Sequence, residues 1–489
     1  MMKPLVTALL ASALVWAAPA AGQVVKVEGG SVRGQAYDGG FHFRGIPFAA
    51  PPVEERRWKK PAPVVPWRGV RDATGPTAAC VQVDQGWNRA DFLSGKEDCL
   101  TLDVRTPALT GKRPVLVWIH GGSNRAGSPG DITLSQIGRD VVFVGVRYRL
   151  GIFGFLPHRG LTAEAGGSGN YGLMDQIAAL EWVKRNIARF GGDPGNVTIA
   201  GESAGSQDVS LLLAAPAARG LFHKAIMESG TPGFGLPFRS LEEAHRIGDQ
   251  ADALLGTGGD AAKLRAISVP ALLAVDKQLH DDALEADDYM WLRATIDGNV
   301  LPRSPAELIA QGPKRPVIVG SNRFELGLPG GRTHRDPFVA KAFGPREAQA
   351  RAFYRLDESD PAPDPRLGTR DEQIATDVTF RCPAVNMARL VAATGAPVWQ
   401  YEFDAAPGGA KTWHAAELGY IFGEQTFGPS LSLRPYWVQF AKTGDPNGPG
   451  LPAWPRFTAE SGAHVRFDDK GVTPQGPLRR EICSLLERL

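Results

Sequence analysis

The chain has 489 residues, of which 43% are hydrophobic, so it can bury a large core, and its length suits one large α/β domain with insertions or a few smaller domains. Its 54 basic and 52 acidic residues leave a formal charge of +2, which excludes a net field that would draw nucleic acid or an acidic membrane surface. Small-molecule or neutral partners are expected instead.

The first stretch, "MMKPLVTALLASALVWAAPAAGQVV", has one lysine, an apolar run over residues 5–18 and small residues near Ala20 to Gly22. It predicts a signal peptide over residues 1–22, because the apolar run is shorter than the ~20 residues a spanning helix needs. The mature chain is then 23–489, and no stable membrane insertion is expected. Further on, "RPVLVWIH" from Arg113 and "VVFVGV" from Val141 read as buried strands. In "GLMDQIAALEWVKRNIARF", Leu173, Ile177, Leu180, Val183 and Ile187 recur at three- and four-residue spacing, which predicts an amphipathic helix. Gly191-Gly192-Asp193-Pro194-Gly195 has loop chemistry, and "NVTIA" is the next strand. Alternating strands and helices imply an α/β fold: a mostly parallel central sheet flanked by helices. Over about 236–377 the pattern becomes helical and charged, broken by strand-like "RPVIVGSN" at 315–322, and this region is expected to form a largely helical insertion over the sheet.

The four cysteines, Cys80, Cys99, Cys382 and Cys483, are an even number in a chain expected to be exported. Two disulfides are plausible on that basis, with three pairings open. No C-x-x-C or H-E-x-x-H motif occurs, so a metal site has no support.

The chemistry centres on Gly201-Glu202-Ser203-Ala204-Gly205, which lies between a strand-like and a helix-like run. In a strand–G-x-S-x-G–helix turn the glycines remove Cβ atoms that would collide, and the serine Oγ is thrust outward near the positive end of a helix. A serine nucleophile needs a histidine base and an orienting carboxylate, in chain order Ser, acid, His for this architecture. His334, His414 and His464 follow, and His414 in "TWHAAELGYIFG" is preferred. Glu325, just past "VIVGSN", is the preferred acid over Asp404 and Asp445. The oxyanion donors expected are the N–H of Ala204 and those of Gly122 and Ser123, in the Gly-rich loop after the "RPVLVWIH" strand.

These residues resemble the type-B carboxylesterase/lipase family of α/β-hydrolases, which includes cholinesterases. The resemblance is carried by "FRGIPFAAPPVEERRWKKP" at Phe43, "EDCLTLDV" at Glu97, "HGGS" at His120, the long block from Gly169 through "GESAGS", "WHAAELGYIF" at Trp413, "FAKTGDPN" and "WPRF". It implies Ser203 as nucleophile, Glu325 as acid, His414 as base and Gly122, Ser123 and Ala204 as oxyanion donors. It also implies disulfides Cys80–Cys99 and Cys382–Cys483, a salt bridge between Arg44 and Glu97, and Ser229 in "MESG" as a supporting serine beside the triad. Glu202 is expected to add a field at the site or to act structurally. Ser123 and Asn124 stand where most members have a third glycine and an aromatic residue, which adds side chains beside the acyl site.

The sequence therefore predicts a secreted or periplasmic serine esterase, bacterial by composition, that acts on small-molecule or lipid-like esters through an acyl-enzyme and needs no cofactor. Two other readings are a non-catalytic binding member of the family, disfavoured by the complete triad, and amide or carbamate hydrolysis on the same machinery.

Overall fold

The computed structural model describes residues 22–281, 294–328, 330–426 and 432–486. The leader expected over 1–22 therefore lies, except for Gly22, outside the described residues. The strands in chain order are β1 (Val24–Val27), β2 (Gly30–Arg33), β3 (Gln35–Tyr37), β4 (Gly40–Pro47), β5 (Val70–Asp72), β6 (Thr101–Thr106), β7 (Arg113–Ile119), β8 (Val142–Val146), β9 (Gly192–Glu202), β10 (Lys224–Glu228), β11 (Arg239–Ser240), β12 (Thr295–Ile296), β13 (Val317–Asn322), β14 (Val398–Asp404), β15 (His464–Asp468) and β16 (Gly471–Gln475). Eleven of them form one sheet in the order β16-β15-β14-β13-β10-β9-β7-β8-β6-β4-β3. Pairing is parallel from β8 through β7, β9, β10, β13 and β14 to β15, and antiparallel at both edges.

The central strands are buried along almost their whole length, as parallel strands covered on both faces must be. One apolar core packs Val115, Val117, Val144, Ile199 and Val319 under the helix Tyr171–Asn186, whose inner face carries Leu173, Ile177, Leu180 and Val183. The other face of the sheet meets Tyr436, Trp437 and Phe440 of the helix Arg434–Thr443.

β9 begins earlier than its sequence pattern suggests. Gly192 pairs with Arg113, and the register slips before Val197 meets Val115, so the turn-like residues Asp193 to Asn196 form a bulge inside the strand. The segment 236–377 holds the helices Leu241–Leu255, Ala261–Ala266, Val269–Asp276 and Pro305–Ala310 before β13, and Arg335–Phe343, Glu347–Tyr354 and Arg370–Thr376 after it. The strand-like stretch at 315–322 is β13, a member of the central sheet. Two disulfides are formed, Cys80–Cys99 and Cys382–Cys483. No helix among the described residues is long and apolar enough to cross a membrane.

Candidate active site

Ser203 leaves the end of β9 and caps the helix Ala204–Ala214 with φ 57° and ψ −127°, a backbone conformation that non-glycine residues rarely adopt. The close packing behind it requires the flanking glycines. A Cβ on Gly205 would lie 2.1 Å from the carbonyl oxygen of Ile119, and one on Gly201 would lie 2.6 Å from that of Gly205. The strained turn is held by the Ser203 N–H donating to the Glu228 carbonyl at 2.9 Å.

Glu325 follows β13 and is buried, with the backbone N–H of Asn322 donating to Oε1 at 2.7 Å. Its Oε2 lies 2.7 Å from His414 Nδ1, and the His414 N–H donates to the Glu325 carbonyl at 3.1 Å, so side chain and backbone together fix the imidazole. The other ring nitrogen, Nε2, lies 3.1 Å from Glu202 Oε1. Ser203 and His414 line one cavity of about 570 Å³, whose walls include Trp87, Phe234, Leu326 and Phe380. Within it, Ser203 Oγ makes no hydrogen bond to a described residue, and the imidazole hydrogen-bonds Glu325 while meeting Glu202 only as a close ionic contact.

The Gly-rich loop after β7 turns back on itself, with φ 102° at Gly122, 57° at Ser123 and 56° at Asn124. The N–H groups of Arg125 and Ala126 both donate to the Gly122 carbonyl at 3.0 Å. Gly122, Ser123 and Ala204 all border the cavity beside Ser203. The rival histidines are elsewhere: His334 is partly exposed and bonds the Gly330 carbonyl, and His464 is buried in β15 against the Gly476 carbonyl. Asp404 is engaged by Arg323 and Arg366, and Asp445 holds a turn through Asn447.

A model of the carboxylesterase family matches residues 21–485. The chain belongs to that family. It is 34% identical over 529 residues to the liver carboxylesterase of Sus scrofa, covering 94% of this chain and 92% of the relative. It is also 34% identical over 493 residues to the para-nitrobenzyl esterase of Bacillus subtilis (strain 168), covering 93% and 96%. Among solved structures, a PNB esterase superposes with a TM-score of 0.81 at 31% identity, over 95% of this chain and all of that one. The carboxylesterase EST55 of Geobacillus stearothermophilus superposes with a TM-score of 0.74 at 32% identity, over 94% and 99%. This carboxylesterase is thus a carboxylic ester hydrolase of the α/β-hydrolase fold, and its substrates are small-molecule esters.

Its imidazole sits in an acidic nest. Glu202 at the end of β9 lies beside Glu228 on β10, and Glu417 follows His414 by three residues, across a turn in which Ala415 has φ 65°. Glu417 accepts from Asn322 Nδ2 at 2.7 Å and from Ser229 Oγ at 3.3 Å, while Glu228 accepts from Trp437 Nε1 at 2.7 Å. Burial pushes the carboxyl groups of Glu202, Glu417 and Glu228 upward, and repulsion among the carboxylates adds to it. Burial alone would depress His414, but the charge of Glu202 and the bond to Glu325 outweigh it and raise the imidazole to about 9.

Three features had no counterpart in the sequence reading. Asn124 Nδ2 donates to Asp208 Oδ1 at 3.1 Å, and Gln176 Nε2 donates to Asp208 Oδ2 at 2.5 Å, tying the Gly-rich loop to the helix behind Ser203. Gln207, one turn after Ser203, also lines the cavity. Glu97 accepts two bonds from Arg57, at 2.6 and 2.7 Å, a partner the family resemblance did not suggest. In the acidic nest, Glu417 carried a partial signal as a carboxylate three residues after the candidate base, although a turn and not a helix brings the two together.

Proposed function

We propose that this carboxylesterase works through Ser203 as nucleophile, His414 as general base and Glu325 as the acid that orients it, with an acyl-enzyme intermediate. The observation that carries this reading is the Glu325–His414 bond of 2.7 Å, which fixes Nδ1 and leaves Nε2 to face the cavity bordered by Ser203. His414 Nε2 takes the Oγ proton as Oγ bonds the ester carbonyl carbon, and the carbonyl π electrons move onto oxygen. The backbone N–H groups of Gly122, Ser123 and Ala204 receive that oxyanion, supported by the positive end of the helix Ala204–Ala214. When the carbonyl re-forms, the alcohol leaves with the proton from Nε2. Water then repeats the sequence on the acyl-enzyme, its proton passing to His414 and on to Ser203 Oγ. The scheme draws on protein groups alone.

Glu202 Oε1 stands 3.1 Å from the same Nε2 and favours its protonated form. An ester in the cavity excludes water, and a drier site favours the neutral imidazole over an ion pair. Two disulfides and the leader-like segment support folding in an oxidising compartment outside the cytoplasm. The deciding experiment is hydrolysis of p-nitrophenyl esters from acetate to palmitate by wild type and Ser203→Ala. Loss of on the order of 10³-fold or more in kcat/KM with an unchanged circular dichroism spectrum supports the triad. Retained turnover in the variant refutes it.

A further inference from the structure

Gln207 is 2% exposed, stands one helical turn after Ser203 and lines the cavity. Its backbone N–H donates to the Ser203 carbonyl at 2.9 Å, so its position follows the nucleophile's. The Gly233 N–H donates to its side chain at 3.2 Å. A backbone N–H can only donate, so the atom it meets is the amide oxygen, and the NH₂ is turned the other way. That NH₂ has no partner among the described residues. Gly233 in turn anchors a turn with three successive positive φ values, 70° at Gly233, 49° at Phe234 and 75° at Gly235. Phe234 meets Phe380 edge-on at 5.7 Å, and Phe380 lies 4.9 Å from the His414 ring. The result is an aromatic wall with one unpaired amide donor of a largely buried side chain set into it.

The donor keeps contact with the cavity, and an apolar chain seated against it would displace water and leave it unpaired, which is costly. We propose that Gln207 is a specificity-determining residue whose Nε2 donates to an acceptor oxygen of the substrate. The favoured esters then carry a carbonyl, ether or hydroxyl oxygen a few bonds from the scissile group, on the part that rests against Phe234 and Phe380. This inference rests on Ser203 being the nucleophile.

The test replaces one CH₂ by oxygen. In the acyl arm, p-nitrophenyl 3-methoxypropanoate is compared with p-nitrophenyl pentanoate, and in the alcohol arm 2-methoxyethyl acetate with n-butyl acetate, each rate divided by that ester's alkaline hydrolysis rate. Wild type should favour the ether by about 10-fold or more in kcat/KM in one arm, and that arm identifies which part of the ester meets Gln207. Gln207→Met should erase the preference, lowering kcat/KM for the ether about 10-fold more than for the alkyl ester. An active wild type with no ether preference in either arm overturns the proposal and leaves Ser203 as nucleophile. A Met variant that keeps the preference, or loses both members equally, also overturns it and reduces Gln207 to an anchor for Gly233. A folded wild type that hydrolyses none of these esters removes the nucleophile reading and this inference together.

Discussion

Replacing Glu202 by glutamine tests the electrostatics of the site with little change of shape. Two unit charges 3.1 Å apart, the separation of His414 Nε2 and Glu202 Oε1, attract by about 5 kcal/mol at an effective dielectric near 20. That figure is a ceiling, because burial already holds part of the Glu202 population protonated. A fraction of it corresponds to about 1–2 pH units on His414. The sign follows from the role of the base: only neutral imidazole can accept the Ser203 proton, so kcat/KM rises with pH through the His414 pKa. With that pKa raised to about 9 in wild type, the limb lies on the alkaline side of neutrality. Glu202→Gln removes an attraction for the imidazolium, so the limb should move to lower pH by about 1–2 units. The assay is kcat/KM for p-nitrophenyl butyrate from pH 5 to 10, corrected for spontaneous hydrolysis. The position of the limb is the readout, since its height also reflects any other role of Glu202. A limb that stays in place, or moves to higher pH, refutes the argument that Glu202 holds His414 protonated.

Glu325→Gln keeps the bulk but loses the charge and the tautomer preference at Nδ1, and should lower kcat by on the order of 10³-fold or more with an intact fold, measured on the same esters. Asp208→Ala leaves the Asn124 and Gln176 amides without their acceptor, which should cost about 1–3 kcal/mol for each in urea unfolding and also reduce kcat, because the Gly-rich loop loses its tie to the helix behind Ser203. Serine replacement of Cys382 and Cys483, whose separation is 101 residues, should lower Tm more than replacement of Cys80 and Cys99, separated by 19. Loop-closure entropy assigns about 4.7 kcal/mol to the longer loop and about 3 kcal/mol to the shorter. Equal losses would show that strain or residual structure outweighs loop length.

What could be read from the residues had local causes. The run before Ser203, the glycines around it and the apolar spacing of the helix Tyr171–Asn186 are short-range patterns, and each reappears in place. The meeting of Glu325 and His414 had a local cue at each end, since Glu325 follows a strand of the sheet by three residues and a short motif surrounds His414. The bulge in β9 was not legible: Gly192 to Gly195 has the chemistry of a turn, and only pairing with β7 makes it part of a strand. The link between Asn124 and Asp208 spans 84 residues, and no spacing rule relates an amide in a loop to a carboxylate on a distant helix. The acidic nest had the same origin. Glu202, Glu228 and Glu417 come from three elements that meet only once the parallel sheet has formed.

The wall residue Phe380 belongs to a π-helical turn, Asp377–Arg381, that passes directly into the helix Cys382–Ala393. Inside that turn Asp377 is buried and is bound by Arg381, by Arg479 and by the Tyr354 hydroxyl at 3.0 Å, while Cys382 is joined to Cys483 of the terminal helix Arg480–Leu485. The helix Arg480–Leu485 is thus fastened behind the cavity wall by a covalent bond and an ion pair as well as by hydrogen bonds and packing, about a hundred residues along the chain from where that wall begins. A molecule made in a reducing compartment would keep the proposed reacting groups, but its cavity wall would be backed by the Arg479 ion pair, hydrogen bonds from Asn386 and Arg346 and the packing of Ile482, without the covalent tie. Oxidation would then act as a finishing step, sharpening which esters fit and leaving the bond-breaking groups as they were.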